Sequence, residues 1–421
     1  MKCLDEIFEE RKDDPRWNTS YPLSPDDWKQ YRVNHSLSFD DDKELSFYIH
    51  VPFCKHLCSF CEYTKMLCPS EDLQESYVAA VENDIMSFIK RYPALRLCGL
   101  DVGGGTPTVL CHKAFDRLMW LCRYAMRQLD KSKDFVPSIE ATFETLTEEK
   151  VQALVASGFK RVSLGVQSTS ENVLLCNHRR NLTPKDMRNS ISMLHENGVG
   201  VVNLDMMYGL KGQTTDSLRQ DVQTLAYLQP EQITLYELRT NMINENVHMS
   251  KDELYHSYSF LYHSLLELGY KARFGQNTFS KNANDIGVSS YLKERMMNAG
   301  AYKGFGISAQ SMSSNGVSYN IGKLRNSVKE LLLMRSFEEE YVYQLPRKEL
   351  ASKYIAIGGY NGSFSFKKLS DLLGCDAKVY YSSQLEYCLS HEYVEILDDR
   401  VIVTPSGFKY YGALFSLFYA L

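Results

Sequence analysis

Six runs of apolar, β-branched or aromatic residues, each followed by a stretch of helical periodicity, restrict this chain to a small set of folds. The runs lie at 46–50, 97–102, 138–143, 161–165, 199–205 and 232–236, and the helical stretches at about 71–91, 112–129, 147–157, 183–197, 215–228 and 250–268. Thr147 before Glu148 and Glu149 is a helix start, and Gly158 and Gly198 are helix stops. The strands read as nearly continuous apolar runs, which predicts a parallel sheet with helices outside it. Six units fall short of the eight of a closed barrel, so an α/β fold built on a partial, open (β/α)6 barrel is expected. Ligands of such sheets bind at the carboxyl ends of the strands.

The flanks differ in character. Residues 1–44 are polar and Asp-rich, with Pro15, Pro22 and Pro25, and predict an N-terminal arm or cap rather than a core element. Residues 45–344 are assigned to the barrel and an extension on its substrate side. From 345 to 421 the pattern becomes short helices and a terminal strand pair at 394–397 and 401–403, which predicts a small winged-helix-like domain. Winged helices often bind nucleic acid, but 47 Lys plus Arg against 52 Asp plus Glu leave no basic excess for a phosphate backbone. A substrate lid is the expected use. No run approaches the roughly 18 apolar residues of a membrane helix. Eleven cysteines in 421 residues are too sparse for a disulfide framework.

Three of those cysteines are concentrated in one place. Tyr48-Ile-His-Val-Pro-Phe-Cys54-Lys-His-Leu-Cys58-Ser-Phe-Cys61 sets them at C-x3-C-x2-C in a loop leaving the first strand. Three thiolates hold three irons of a cubane cluster and leave the fourth iron open to an external ligand. Zinc is the alternative, but a structural zinc site wants four ligands, and His56 lies inside the tight loop between two of the cysteines. A labile cluster needs a reducing compartment, which predicts a cytoplasmic location.

The triad is the signature of the radical S-adenosylmethionine superfamily. The run Phe47-Tyr48-Ile49-His50-Val51-Pro52-Phe53-Cys54 resembles the opening of its oxygen-independent coproporphyrinogen III oxidase family. That family includes the decarboxylating dehydrogenase, haem chaperones and class C methyltransferases. The resemblance spans roughly residues 15 to 420. It implies a 4Fe-4S cluster on Cys54, Cys58 and Cys61, and S-adenosylmethionine on its open iron, with a second molecule in a methyltransferase. It further implies reductive cleavage to methionine and a 5′-deoxyadenosyl radical, a tetrapyrrole as small-molecule substrate, and a low-potential electron donor such as flavodoxin or ferredoxin. Neither nucleic acid nor a membrane span is expected.

The same resemblance implies a cofactor-binding set. Gly103-Gly104-Gly105-Thr106-Pro107 follows the second strand, where bare backbone allows close approach to the methionine amino group. Glu140 in Ser138-Ile139-Glu140, Gln167 in Gly165-Val166-Gln167-Ser168, and Asp205 in Asn203-Leu204-Asp205 match the family's polar ligands. Arg179, or Arg180 beside it, resembles an arginine that pairs with the methionine carboxylate; a solvated cation at a helix end is the alternative. Tyr48 and Ala309, the latter in Lys303-Gly304-Phe305-Gly306-Ile307-Ser308-Ala309-Gln310-Ser311, complete the set with Gly104, Gly105 and Thr106.

Three features bear on the choice within the family. Pro15-Arg16-Trp17-Asn18-Thr19-Ser20-Tyr21-Pro22 resembles an N-terminal segment of the dehydrogenase. Tyr63 stands where the dehydrogenase has a fourth cysteine, and Cys68 is not an evident substitute. The stretch 294–302 lacks the histidine and tryptophan of the chaperones' H-N-x-x-Y-W element. The expected activity is oxidative decarboxylation of a tetrapyrrole propionate, with a class C methyltransferase as runner-up and a haem chaperone third.

Overall fold

The computed structural model describes residues 3–18, 21–238, 249–323 and 327–419. The alternation folds as a parallel sheet in sequence order. Its strands are β1 (Glu44–Val51), β2 (Arg96–Gly104), β3 (Ser138–Ala141), β4 (Arg161–Gln167), β5 (Val201–Tyr208) and β6 (Gln232–Glu237). The intervening helices are α1 (Glu71–Arg91), α2 (His112–Gln128), α3 (Glu148–Ala156), α4 (Pro184–Glu196) and α5 (Thr215–Leu228), and α6 (Lys251–Glu267) follows β6. Hydroxyl caps start several of them: Thr147, Thr183, Thr214 and Ser250 each accept a backbone N–H from the first helical turn. The third strand ends earlier than its apolar run, because Phe143–Thr145 winds into a 3-10 turn.

The sheet stays open. β7 (Thr278–Ser280) pairs antiparallel with β6 at one end. At the other, the chain passes through α7 (Ser290–Met297) and β8 (Tyr302–Phe305) pairs parallel with β1. That seventh parallel strand is missing from the sequence reading, because four residues interrupted by Lys303 and Gly304 carry no strand periodicity of their own. Beyond β8 the sheet continues antiparallel through β9 (Gln310–Ser313), β10 (Gly316–Asn320), β11 (Glu339–Gln344) and the short strand Arg32–Val33, twelve strands among the described residues.

The C-terminal part begins with α8 (Arg347–Gly359) and has its own three-stranded antiparallel sheet: β12 (Ser363–Ser365), β13 (Val394–Leu397) and β14 (Arg400–Val403), in the order β12–β14–β13. The expected strand pair is present, and β12 adds a third strand that was not foreseen.

The N-terminal segment departs from expectation. It belongs to the core: Phe8, Trp17, Tyr21, Trp28 and Phe39 are buried, Trp28 to 1 % exposure. Its aromatic residues are scattered without period among acidic ones, so no local pattern marks them. The surface that buries them is supplied by the other end of the chain, where Glu349 on α8 accepts from the Tyr21 hydroxyl (2.5 Å) and Trp28 Nε1 (3.0 Å). Thr19 and Ser20 of the proline-flanked segment lie outside the described residues.

Candidate active site

β1 delivers the chain through Pro52 into the cysteine loop. Phe53–Cys54 pairs with Met66–Leu67 and closes the loop at its base. Inside it, Lys65 Nζ donates to the carbonyls of Cys58 (2.8 Å) and Cys61 (2.5 Å). His50 is buried beneath: Nε2 donates to Thr64 O (2.9 Å), which leaves Nδ1 to accept from the Tyr48 hydroxyl (3.2 Å). Burial lowers the His50 pKa to about 4, so the ring is neutral and acts as a support for the loop.

The three thiols are partly buried and unbridged, and each lies within electrostatic reach of the others. Burial pushes Cys54 up to about 11 and raises Cys61 as well. Such thiols hold their protons until a metal displaces them. Among the described residues no three His, Cys, Asp or Glu side chains converge on a point, as a single-ion site requires. The three thiols line one cavity, where each could give its sulfur to a different iron of a cluster.

The other walls of that cavity come from the carboxyl ends of β2 to β6. Gly104 has φ of +104°, and a Cβ there would lie 2.2 Å from the His50 ring; on Gly103 it would strike the Glu140 carboxylate at 2.5 Å. Only bare backbone fits between these two side chains. Gly104 N–H donates to Glu140 Oε2 (3.0 Å). Glu140 opens into the cavity, but protein surrounds it, and this desolvation, reinforced by Asp205 and Asp101, pushes its pKa up to about 7. Asp205 is fixed by donors on both oxygens, Ser163 Oγ (2.9 Å) and Asn203 Nδ2 (2.8 Å). Its pKa is also raised by burial.

Gln167 sits at a register shift in β4 with φ of +64°, and its Oε1 is buried without a hydrogen-bond partner. Arg179 reaches Cys58 Sγ through Nη1 (3.5 Å) and Gly165 O through Nη2, while its Nε is buried and unpartnered. A bulged backbone and two orphaned polar atoms around one cavity are costs that a bound polar ligand would offset. Cysteines, backbone cradle, carboxylates and orphaned donor and acceptor together fit a cluster with a zwitterionic ligand on its open iron.

The cavity therefore brings together Cys54, Cys58, Cys61, Gly104, Gly105, Thr106, Glu140, Gln167, Arg179 and Asp205, with Arg180 also in the wall. Tyr48 and Ala309 fall outside this lining, although Tyr48 lies within electrostatic reach of Glu140 and Tyr63 in it. The Tyr48 ring instead stacks on Tyr291 (5.7 Å between centroids), and Ala309 is buried in the turn from β8 to β9. Cys68 also lies outside the lining, with its sulfur toward Val109 O (3.9 Å). Met207, Tyr236 and Glu237, which do line it, were missed although the strand-end rule pointed to β5 and β6. Tyr360, contributed from just beyond α8, had no local signal.

Residues 48–225 match the family model described as the Radical SAM superfamily. The chain is 25 % identical over 371 residues to the heme chaperone HemW of Bacillus subtilis, covering 86 % of this chain and 96 % of that protein. It is 26 % identical over 348 residues to the oxygen-independent coproporphyrinogen III oxidase of Cereibacter sphaeroides, covering 77 % and 74 % respectively. Its fold is that of the coproporphyrinogen III oxidase HemN from Escherichia coli, with a TM-score of 0.74 at 21 % identity over 91 % of this chain and 92 % of that one.

Proposed function

We propose that this chain, whose residues 48–225 are a radical S-adenosylmethionine domain, oxidatively decarboxylates a propionate side chain of a tetrapyrrole to a vinyl group. The observation that carries the reading is the single cavity in which the cysteine triad faces Glu140, Gln167, Arg179 and Asp205. When bound there, the cluster and S-adenosylmethionine supply a 5′-deoxyadenosyl radical able to take hydrogen from a propionate carbon. The chain supplies orientation. Glu140, backed by Gly104 N–H, offers an acceptor to an amino group; Arg179, beside Cys58, offers donors to a carboxylate; Asp205, held by Ser163 and Asn203, accepts from hydroxyls. Phe60, Met207 and Tyr236 give the same cavity an apolar side that limits water. Electron delivery by flavodoxin or ferredoxin and a cytoplasmic location accompany this reading; among the described residues no helix is long and apolar enough to cross a membrane.

The likeness to HemW over nearly its whole length favours haem carriage as the second reading. Against it stands the stretch 294–302, which offers no histidine. Anaerobic incubation of the reduced protein with S-adenosylmethionine, with and without coproporphyrinogen III, tests the proposal by mass spectrometry. Loss of carbon dioxide from the porphyrinogen, with substrate-dependent 5′-deoxyadenosine, is the expected result. S-adenosylhomocysteine beside 5′-deoxyadenosine would point to methyl transfer instead. Stable haem binding with neither product would establish the carrier.

A further inference from the structure

Behind the Tyr48 ring, between the cysteine loop and the antiparallel part of the sheet, a guanidinium has no carboxylate partner among the described residues. Arg295 on α7 donates through Nη2 to Gln310 Oε1 (3.4 Å) and lies over the Tyr302 ring at 5.0 Å. Its Nε is shielded from solvent and has no partner. Gln310 has nothing more to offer, since its Oε1 also accepts from Tyr302 and its Nε2 donates to the Tyr319 hydroxyl (2.6 Å). Of the carboxylates on the flanking strands, Glu339 pairs with Lys303 (2.7 Å) and accepts from Ser318 (2.8 Å). Asp101 accepts from Ser289 through Oδ2 (2.5 Å) and keeps Oδ1 buried without a partner, with no ion pair to Arg295.

A second cation shares the lobe. Lys323 Nζ lies 5.5 Å from the centre of the Tyr319 ring; desolvation lowers its pKa, Glu62 of the cysteine loop opposes that, and Arg295 adds to it. Two cations among tyrosines, one with an unpartnered nitrogen, form an arrangement that an entering anion stabilises; a planar guanidinium suits a carboxylate in particular. This cluster of side chains lies near the cavity already described, because Tyr48 is within electrostatic reach of both Arg295 and Glu140, and Arg295 within reach of Tyr63, which lines the cavity.

We propose that Arg295, seconded by Lys323, docks a carboxylate of the substrate and thereby selects a polyanionic small molecule. The tetrapyrrole identity of that molecule rests on the function proposed above; the requirement for the anion does not.

The test measures equilibrium binding to the anaerobic, cluster-loaded protein and its Arg295→Gln, Arg295→Lys and Lys323→Gln variants, with iron content read on each sample. Three probes are used: coproporphyrin III, with four carboxylates; etioporphyrin, with none; and mellitate, a polycarboxylate without the porphyrin ring. Arg295→Gln should weaken coproporphyrin III at least tenfold and leave etioporphyrin unchanged. Arg295→Lys should fall between, because it keeps the charge and loses the fork. Rising salt should weaken coproporphyrin III in the parent and do so less steeply in Arg295→Gln. Arg295-dependent binding of mellitate, with neither porphyrin bound, would sustain the anion site and remove the tetrapyrrole. Coproporphyrin III and mellitate held equally by parent and Arg295→Gln, or no carboxylate probe bound at all, would overturn the proposal. Should Arg295→Gln fail to load iron, Lys323→Gln decides, with at least a threefold loss of coproporphyrin III expected and an unchanged affinity overturning the site.

Discussion

With Glu140 holding the ligand's amino group as proposed, S-adenosylmethionine binding should depend on pH. Burial holds the Glu140 pKa at about 7, above the ordinary carboxyl value, and the ionised form is the one that accepts from an ammonium. Between pH 5.5 and 6.5, more than a unit below the roughly 7.7–8.0 at which an α-amino group titrates, affinity should rise with pH as Glu140 ionises. Glu140→Gln should bind more weakly and with a flat profile. Calorimetric titration of the anaerobic holoprotein reads both; a parent profile as flat as the variant's would refute the role. The cysteine triad, Glu140, Gln167, Arg179 and Asp205 were legible because each motif sits at a strand's carboxyl end, where the fold gathers side chains whatever its details. Tyr48 and Ala309 fall outside the lining for a related reason. A motif fixes position along the chain, but the direction of the Tyr48 ring is decided by Tyr291, on a helix more than two hundred residues later.

The cysteine loop is a small element, closed at its base by strand pairing and tied across its middle by two bonds of one side chain. Lys65 binds the carbonyls of Cys58 and Cys61, and hydrogen bonds to a charged group contribute roughly 1.5–3 kcal/mol each. Lys65→Met should leave the loop frayed and the cluster labile, with iron released to an anaerobic chelator about tenfold faster than from the parent. Unchanged release would mean that the Phe53–Cys54 and Met66–Leu67 pairing is sufficient. The strand-helix alternation was readable at this scale, since burial on both faces forces long apolar runs and the crossover helices carry their own caps. β8 was not readable. Four residues with a central Lys-Gly become a strand only because the edge of β1 is there to pair with.

Across the whole molecule, the two ends of the chain are tied at one buried carboxylate. Glu349 accepts from Tyr21, Trp28 and Tyr31, and is 5 % exposed. Removing a shared acceptor strands buried donors, so Glu349→Ala should cost about 2–4 kcal/mol in urea unfolding and expose the arm to protease. Glu349→Gln, which keeps an acceptor, should lose less; equal stability of parent and Glu349→Ala would show the arm held by its aromatic packing alone. The amino-acid order by itself determined the parallel α/β frame, the cluster triad and the polar set at the strand ends, because these follow from local periodicity and from where such a sheet puts its loops. Only the tertiary structure decided that the N-terminal segment belongs to the core, that Tyr360 enters the cavity, and that Arg295 has a buried Nε with no hydrogen-bond partner among the described residues. Those facts depend on which distant surfaces meet, and burial or an unpaired charge is a property of the meeting, with no trace in either segment alone.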